Sequence, residues 1–364
     1  MKKINFTLLA ILFLSLVKSY GQNKNEPKVI LITLDGFRWQ ELFTGADEKL
    51  ISNDKYVEHP EHLNELFWKS TAKERREILL PFIWNTVSQM GQIHGNRLLN
   101  SKMNLTNTHW FSYPGYNEIL SGMADDERIN SNNKIPNPNT TILETVNNTS
   151  EYNGKVAAFG SWDVFPYIIN RERSEIPVNA GFEIATGLYL TPEELYLNQI
   201  QEDTYSPWGS VRLDVFTHNY ALEHMKKAHP NLVYIAYGET DDFAHDGNYE
   251  AYLKSAHRTD KFIKELWDFV QKDPFYKDNT TFIITTDHGR GTEPLDTWRS
   301  HGSSINGTDQ VWVIAFGKGI EPMGEASNSE QLYTNQIAAS VAKLLNVQVN
   351  KEVKGSAFYF IKNQ

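Results

Sequence analysis

The chain has 364 residues and no cysteine, and its 35 basic and 45 acidic side chains leave a formal net charge of -10. The absence of thiols excludes disulfides, a cysteine nucleophile and a lipid on an N-terminal cysteine. The acidic balance argues against nucleic acid or an anionic membrane as a stable partner, because both favour basic surfaces.

The first residues have the pattern of a secretory signal peptide. Two lysines precede an apolar run at 6–17, and small residues close the segment at Gly21. That run is too short to cross a bilayer of about 30 Å as a helix. We therefore expect residues 1–21 to be removed during export to the periplasm or the medium, leaving residues 22–364 as one domain without a membrane span.

Short β-branched runs alternate with helical patterns along the rest of the chain. Strands are predicted at 28–34, 155–161, 231–237, 280–286 and 310–316, and helices at 83–90, from 116 onward, 213–227, 249–270 and 334–345. This alternation predicts an α/β fold with a doubly wound, mostly parallel central sheet and helices on both faces. Residues 163–210 break the alternation and are predicted to form an inserted cap. Residues 44–60 and 124–140 are predicted to be long loops.

Acidic residues and histidines follow three of the predicted strands. Because the carboxyl ends of parallel strands meet at one edge of a sheet, we expect these side chains to converge there. Imidazole mixed with carboxylate suits zinc, or another borderline divalent ion, better than calcium. Solvated acids and structural histidines are the alternative. The candidate ligands are Asp35, Asp241, His245, Asp287, His288 and His301.

The motifs that carry these residues resemble the alkaline phosphatase superfamily, most closely its type I phosphodiesterase and nucleotide pyrophosphatase group. They are VILITLDGFR at 29–38, DxxxH at 241–245, DHG at 287–289 and HG at 301–302. The resemblance implies two zinc ions. One ion would be held by Asp241, His245 and His301. The other would be held by Asp35, Asp287 and His288.

The segment HWFSYPGYNEILSGM at 109–123 contains the candidate nucleophile, Ser112. It precedes Tyr and Pro, as the nucleophile of the superfamily does, although the phosphodiesterase group usually has threonine there. A zinc ion at its hydroxyl would lower the hydroxyl pKa, so Ser112 is also a predicted metal contact. The resemblance further implies an asparagine that donates to a phosphoryl oxygen, at Asn133 or the adjacent Asn132. The Gly115 backbone N–H is a second candidate oxyanion donor.

The predicted function is an exported two-zinc hydrolase of phosphoric esters that acts through a phosphoseryl intermediate. Phosphodiesters or pyrophosphates of nucleotides, glycans or other small molecules are favoured, because no Lys or Arg adjoins Ser112 to neutralise a dianion. Arg38, Arg128 and Arg290 are possible substitutes. A phosphomonoesterase is the first alternative. A sulfatase of the same superfamily is the second, although its C/S-x-P-x-R pattern fails at Tyr116. A non-catalytic metal- or carbohydrate-binding protein is the third, and the oligomeric state stays open.

Overall fold

An eight-stranded central sheet organises the chain in a computed structural model that describes residues 26–362. The predicted signal peptide therefore lies outside the described residues. The strands are β1 (Lys28–Leu34), β2 (Gly91–His94), β3 (Met103–Asn104), β4 (Val156–Gly160), β5 (Val178–Ala180), β6 (Leu232–Tyr237), β7 (Thr280–Thr285), β8 (Gln310–Val311), β9 (Val313–Gly317), β10 (Gly324–Glu325) and β11 (Leu332–Tyr333).

The order of strands in the large sheet is β10-β2-β9-β7-β1-β6-β4-β5. Among the described strands of this sheet, β9 alone runs against its neighbours. A small second sheet has the order β11-β3-β8. The predicted α/β fold with a mostly parallel sheet is confirmed. The strands that precede the candidate ligands, β7, β1 and β6, are direct neighbours at the centre of the sheet.

Helices cover both faces of the sheet. They are α1 (Trp39–Thr44), α2 (Glu48–Ile51), α3 (Pro60–Phe67), α4 (Ala72–Leu79), α5 (Ser88–Met90), α6 (Ser112–Ser121), α7 (Ile142–Asn147), α8 (Phe165–Ile168), α9 (Arg171–Ser174), α10 (Pro192–Asp203), α11 (Asp214–Ala228), α12 (Glu239–His245), α13 (Tyr249–Lys272) and α14 (Gln336–Leu344). Within residues 26–362 no helix has both the length and the apolar character that crossing a membrane requires.

The core has two layers because the side chains of β1 alternate between the faces of the sheet. Ile30 and Ile32 join one buried cluster, and Val29 and Leu31 join the other. All seven residues of β1 are buried, as the run rich in Val, Ile and Leu predicts for a central parallel strand. This two-sided burial holds the carboxyl end of β1, and thus Asp35, in a rigid position.

Three predicted segments differ in detail. The run at 310–316 is divided at Trp312, so that β8 joins the small sheet and β9 joins the large one. The Trp312 side chain is fully buried, and its indole N–H donates to the Phe37 carbonyl at 2.8 Å. Helix α6 begins at Ser112, before the predicted start at 116. Residues 44–60 contain the short helix α2, whose N-terminus is capped by Asp47.

The segment predicted to be an inserted cap, residues 163–210, contains α8, α9, β5 and α10. Strand β5 pairs in parallel with β4 and forms one edge of the large sheet. Helix α10 starts with a capping box between Thr191 and Glu194 and has a proline in its first turn, both of which favour helix initiation. The segment is thus joined to the sheet through β5, and a covering role over the site stays a prediction.

The buried carboxylate of Asp260 predicts a pH dependence of stability. It accepts hydrogen bonds from the backbone N–H groups of Phe82 and Ile83 at 2.8 and 2.9 Å, and burial raises its pKa to about 7. The folded state therefore favours the protonated acid. Between about pH 4 and 7 this group should lower the free energy of unfolding as pH rises, by roughly 1.4 kcal/mol per unit at most.

Urea unfolding of wild type and Asp260→Asn at pH 5 and 7 tests this contribution. The fall in the free energy of unfolding between the two pH values should be smaller in the variant, because asparagine does not titrate. Asp268→Asn, at a side chain that is 44% exposed, is the control and should keep the wild-type dependence. The same pH dependence in Asp260→Asn and wild type would contradict the assignment.

Candidate metal centre and catalytic serine

The candidate ligands lie on loops that leave neighbouring strands at one edge of the sheet. Asp35 follows β1, and Asp287 and His288 follow β7. After β6 the chain enters α12, which places Asp241 and His245 one turn apart on the same side of the helix. The register between β1 and its two neighbours aligns these three strand ends, so residues far apart in sequence meet.

A buried group of ligand atoms is formed by Asp35, Asp287 and His288. The His288 Nε2 atom lies 3.3 Å from Asp35 Oδ1 and 3.5 Å from Asp287 Oδ2. One ligand atom from each residue lies within 4.8 Å of the others, close enough to share a metal ion. His288 Nδ1 lies 3.0 Å from the Gly289 carbonyl, a contact that leaves Nε2 free to be a ligand.

A more exposed group is formed by Asp241, His245 and His301. The His245 Nε2 atom lies 3.2 Å from Asp241 Oδ2 and 3.0 Å from His301 Nε2. His301 Nε2 is 3.8 Å from Asp241 Oδ1, and His288 Nε2 is 3.7 Å from the same oxygen. His288 therefore lies between the two groups, and the tightest set around Asp241 contains His288 and His301. All six predicted ligands are brought together.

Both groups fit a divalent cation. Asp35 Oδ1 and Asp287 Oδ2 are buried without a hydrogen-bond partner, as is Nδ1 of His301. Burial, with the nearby Asp241, raises the pKa of Asp35 well above its usual range; burial, with the nearby Asp35, does the same for Asp287. Ionised carboxylates this deep need a compensating positive charge. The mixture of carboxylate and imidazole is a donor set that zinc and similar ions accept.

The hydroxyl of Ser112 lies beside the buried group. Its Oγ atom is 3.3 Å from His288 Nε2, and the residue is 5% exposed. Ser112 is the first residue of α6, so the partial positive charge of the helix N-terminus lies next to this oxygen. The predicted nucleophile and the predicted ligands therefore share one site.

The asparagine that contacts α6 is Asn132. Its Oδ1 atom accepts a hydrogen bond from the backbone N–H of Tyr113 at 3.0 Å, in the first turn of α6. Asn132 and Asn133 are both exposed, and the Asn133 backbone N–H donates to Ser131 Oγ at 3.4 Å. Which of the two donates to a phosphoryl oxygen stays a prediction.

The backbone N–H of Gly115 is not directed at the site, which corrects its expected role as an oxyanion donor. It donates to the Phe111 carbonyl at 3.0 Å, because the helix uses it for an ordinary intrahelical bond. A Cβ atom at this position would lie 2.2 Å from the Asp287 carbonyl oxygen. Gly115 therefore allows α6 to approach the loop that carries the ligands.

Two site residues were not singled out from sequence. The Tyr116 hydroxyl donates to Asp35 Oδ2 at 2.9 Å, and the Thr240 hydroxyl donates to the Asp35 carbonyl at 2.5 Å. Tyr116 is four residues after Ser112 in α6, so helical spacing alone could have placed it on the same face. Together these contacts hold the Asp35 loop against α6 and α12.

The three arginines considered as phosphate-binding substitutes have different surroundings. Arg38 is buried and paired with Glu41, and Arg128 pairs with Asp125 at 2.6 Å. Arg290 reaches the candidate centre, where its Nη2 atom donates to Asp241 Oδ1. Only this third arginine contacts a candidate metal ligand.

A cavity of about 1220 Å³ lies away from the ligands, between β5, α10 and α11. Its wall includes Phe159, Val178, Gln201 and His224, and no candidate ligand contributes to it. The size of a cavity therefore does not identify the candidate metal centre, which lies at the ends of β1, β6 and β7.

Comparisons with known proteins agree with this geometry. Residues 214–349 match the family model of the Metalloenzyme superfamily. The chain is 27% identical over 135 residues to a 2,3-bisphosphoglycerate-independent phosphoglycerate mutase of Gracilaria tenuistipitata var. liui, a match that covers 37% of this chain and 25% of the relative. The chain thus spans about a quarter of the length of the curated relatives it matches.

The fold is shared with solved structures over nearly the whole chain. Alkaline phosphatase PafA superposes with a TM-score of 0.61 at 11% identity, covering 92% of this chain and 99% of PafA. A 2-O GAG sulfatase superposes with a TM-score of 0.57 at 12% identity, covering 92% of this chain and 73% of the sulfatase. The resemblance predicted from the motifs is confirmed at this level: the chain has the alkaline phosphatase-like fold, and its residues 214–349 match the Metalloenzyme superfamily.

Proposed function

We propose that this chain is a metal-dependent hydrolase of phosphoric esters that acts through a phosphoseryl intermediate and favours phosphodiesters or pyrophosphates. The observation that carries the proposal is the 3.3 Å distance between Ser112 Oγ and His288 Nε2. His288 in turn lies against Asp35 and Asp287, whose carboxylates are buried with unpartnered oxygens. A hydroxyl beside a preformed set of metal ligands is the arrangement that nucleophilic phosphoryl transfer requires.

The residues of the chain have separate tasks in this reaction. A divalent ion held by Asp35, Asp287 and His288 would supply a Lewis acid beside Ser112 Oγ and lower the pKa of that hydroxyl. Ser112 Oγ forms a bond to phosphorus as the bond to the leaving oxygen breaks, and solvent takes the serine proton and protonates the leaving oxygen. Water then attacks the phosphoseryl group and releases the serine. Asn132 is placed to orient the first turn of α6 during both steps.

The preference for diesters is supported by the pairing of nearby cations. Arg290 donates to Asp241, and Lys134, two residues after Asn132, lies 2.6 Å from Asp163 Oδ2. A monoester dianion needs more positive charge than a diester monoanion, and these two cations are already partly neutralised. A phosphomonoesterase is the second candidate. A sulfatase shares the fold, but Tyr116 stands where the formylglycine pattern needs arginine.

We further propose that two zinc ions occupy the two groups and that the protein is exported to the periplasm or the medium. The division of the six ligands into a buried and a more exposed group supports two positions. Export is supported by the signal-peptide pattern of residues 1–21. The placement within the phosphodiesterase group is likewise supported by the motifs at 29–38 and 287–289.

A four-substrate assay tests the function. Purified protein is stripped with a chelator, reloaded with zinc, and given bis-nitrophenyl phosphate, nitrophenyl phosphate, nitrophenyl sulfate and a nucleoside phosphodiester. We expect turnover to be highest on a diester, to disappear on stripping and to return with zinc. Turnover that survives complete metal removal would overturn the proposal, and preferred cleavage of the sulfate would establish the sulfatase alternative.

A further inference from the structure

Arg290 is buried inside the candidate metal centre. The residue is 1% exposed and follows His288 by two positions. Its Nη2 atom donates to Asp241 Oδ1 and, at 3.0 Å, to the Asp241 carbonyl; its Nε atom donates to the Gly36 carbonyl at 3.2 Å. The guanidinium therefore connects the loops after β1, β6 and β7.

The Asp35 loop is shaped around this guanidinium. Gly36 has a φ of +56°, and a Cβ atom there would lie 2.9 Å from Arg290 Nε and 2.8 Å from Asp241 Oδ1. A side chain at this position would therefore collide with both groups and would also strain the backbone.

The guanidinium touches one ligand group and not the other. The oxygen it contacts, Asp241 Oδ1, is the same atom that lies 3.7 Å from His288 Nε2 and 3.8 Å from His301 Nε2. In the buried group, Asp35 Oδ2 accepts from the Tyr116 hydroxyl and Asp287 Oδ1 accepts from the Gly36 N–H, so both partners there are neutral. An ion at Asp241 would share its carboxylate with a directly bonded positive charge, whereas an ion at Asp35 and Asp287 would feel that charge only through space.

Solvent exposure also favours tighter metal binding at the buried group than at the more exposed group. The side chains of Asp241, His245 and His301 are 14, 45 and 13% exposed, against 7, 0 and 0% for Asp35, Asp287 and His288. The outer group therefore leaves more of its coordination to solvent, and the inner group holds its ligands in a fixed, dehydrated position.

We propose that Arg290 is a positioning residue that makes the two metal positions unequal. Its hydrogen bond to Asp241 Oδ1 and its positive charge weaken metal binding at the outer position, which is formed by Asp241, His245 and His301. Metal binding at the inner position, which is formed by Asp35, Asp287 and His288, stays tight. The outer ion is then the exchangeable one. This inference rests on the proposed metal-dependent function and adds to it an order of loading in which the ion next to Ser112 binds first.

Zinc binding to the stripped full-length protein tests the inference without measuring turnover. Equilibrium dialysis with metal analysis would give the number of sites and their dissociation constants for wild type, Arg290→Gln and Arg290→Lys. The matched control is Arg212→Gln, at an arginine that is equally buried but bonded to Asn179 and Thr217. Circular dichroism would confirm that each variant is folded.

We expect wild type to bind one zinc tightly and a second at least about tenfold more weakly, because like charges repel strongly at a buried site. Arg290→Gln should tighten the second site by about tenfold and change the first by less than about threefold. Arg290→Lys should keep the inequality, and Arg212→Gln should leave both constants unchanged.

Results that contradict these expectations would overturn either the inference about Arg290 or the proposed function. Two equal sites in wild type would overturn the inference, whether or not the variants fold, and so would a second site that weakens in Arg290→Gln. Wild-type protein that binds no zinc or other divalent ion at either position would instead overturn the proposed function.

Discussion

Replacing Ser112 by alanine is expected to lower turnover by several orders of magnitude, on the order of 10³ or more, because covalent attack is lost. Metal content should remain close to that of wild type, because Asp35, Asp287 and His288 keep their ligand atoms. Steady-state turnover on the diester substrate, together with metal analysis of the same sample, checks both expectations.

Two further variants make the Ser112 result specific. Ser112→Thr should retain measurable turnover, because threonine also presents a hydroxyl from the start of α6. Ser121→Ala removes a buried hydroxyl from the other end of the same helix, where it donates to the Met123 carbonyl at 3.1 Å, and should keep near-normal turnover. If Ser112→Ala were as active as Ser121→Ala, attack by serine would be excluded and direct attack by water would become the better mechanism.

Replacing His288 by alanine should remove metal and activity together. Its Nε2 atom lies within 3.8 Å of three candidate ligand carboxylates, on Asp35, Asp241 and Asp287, so it lies between the two groups. We expect the loss of at least one bound ion per chain and a fall in turnover on the order of 10² or more, as the chemistry loses its Lewis acid. Metal analysis after dialysis and turnover at saturating zinc measure the two effects.

A second buried histidine provides the control for His288. His218 is fully buried and lies 3.0 Å from the Tyr237 hydroxyl, on α11 and away from the ligands. His218→Ala should lower the free energy of unfolding through lost packing and hydrogen bonding while metal content is maintained. If His288→Ala behaved in the same way, unfolding more easily with its metal intact, the residue would be structural and the inner position would need other ligands.

The fold could be predicted where burial leaves a local pattern. The run at 28–34 is rich in Val, Ile and Leu because β1 is covered on both faces, and the amphipathic pattern at 249–270 corresponds to α13. The run at 310–316 could not be divided from sequence alone. The break at Trp312 depends on where its indole finds a carbonyl, on a loop 275 residues away.

The candidate site likewise has features that the sequence predicts and features that only the tertiary structure decides. The candidate ligands and the candidate serine could be named from short motifs, because each follows a strand or starts a helix whose pattern is local. The contact of Asn132 with the first turn of α6 required the direction of the segment that carries it. The commitment of the Gly115 N–H to Phe111 required the true start of α6 at Ser112, four residues before the predicted start.

The sequence alone therefore indicates the central strands, the long helices and the chemically distinctive side chains at their ends, because these depend on spacing and burial over a few residues. The contacts that give those side chains their properties join positions that are distant in sequence. Arg290 meets Asp241 across 49 residues, Tyr116 meets Asp35 across 81, and Ser112 meets His288 across 176. Such contacts follow from the order β7-β1-β6 and from the packing of α6 above it, and neither leaves a local signal in the sequence.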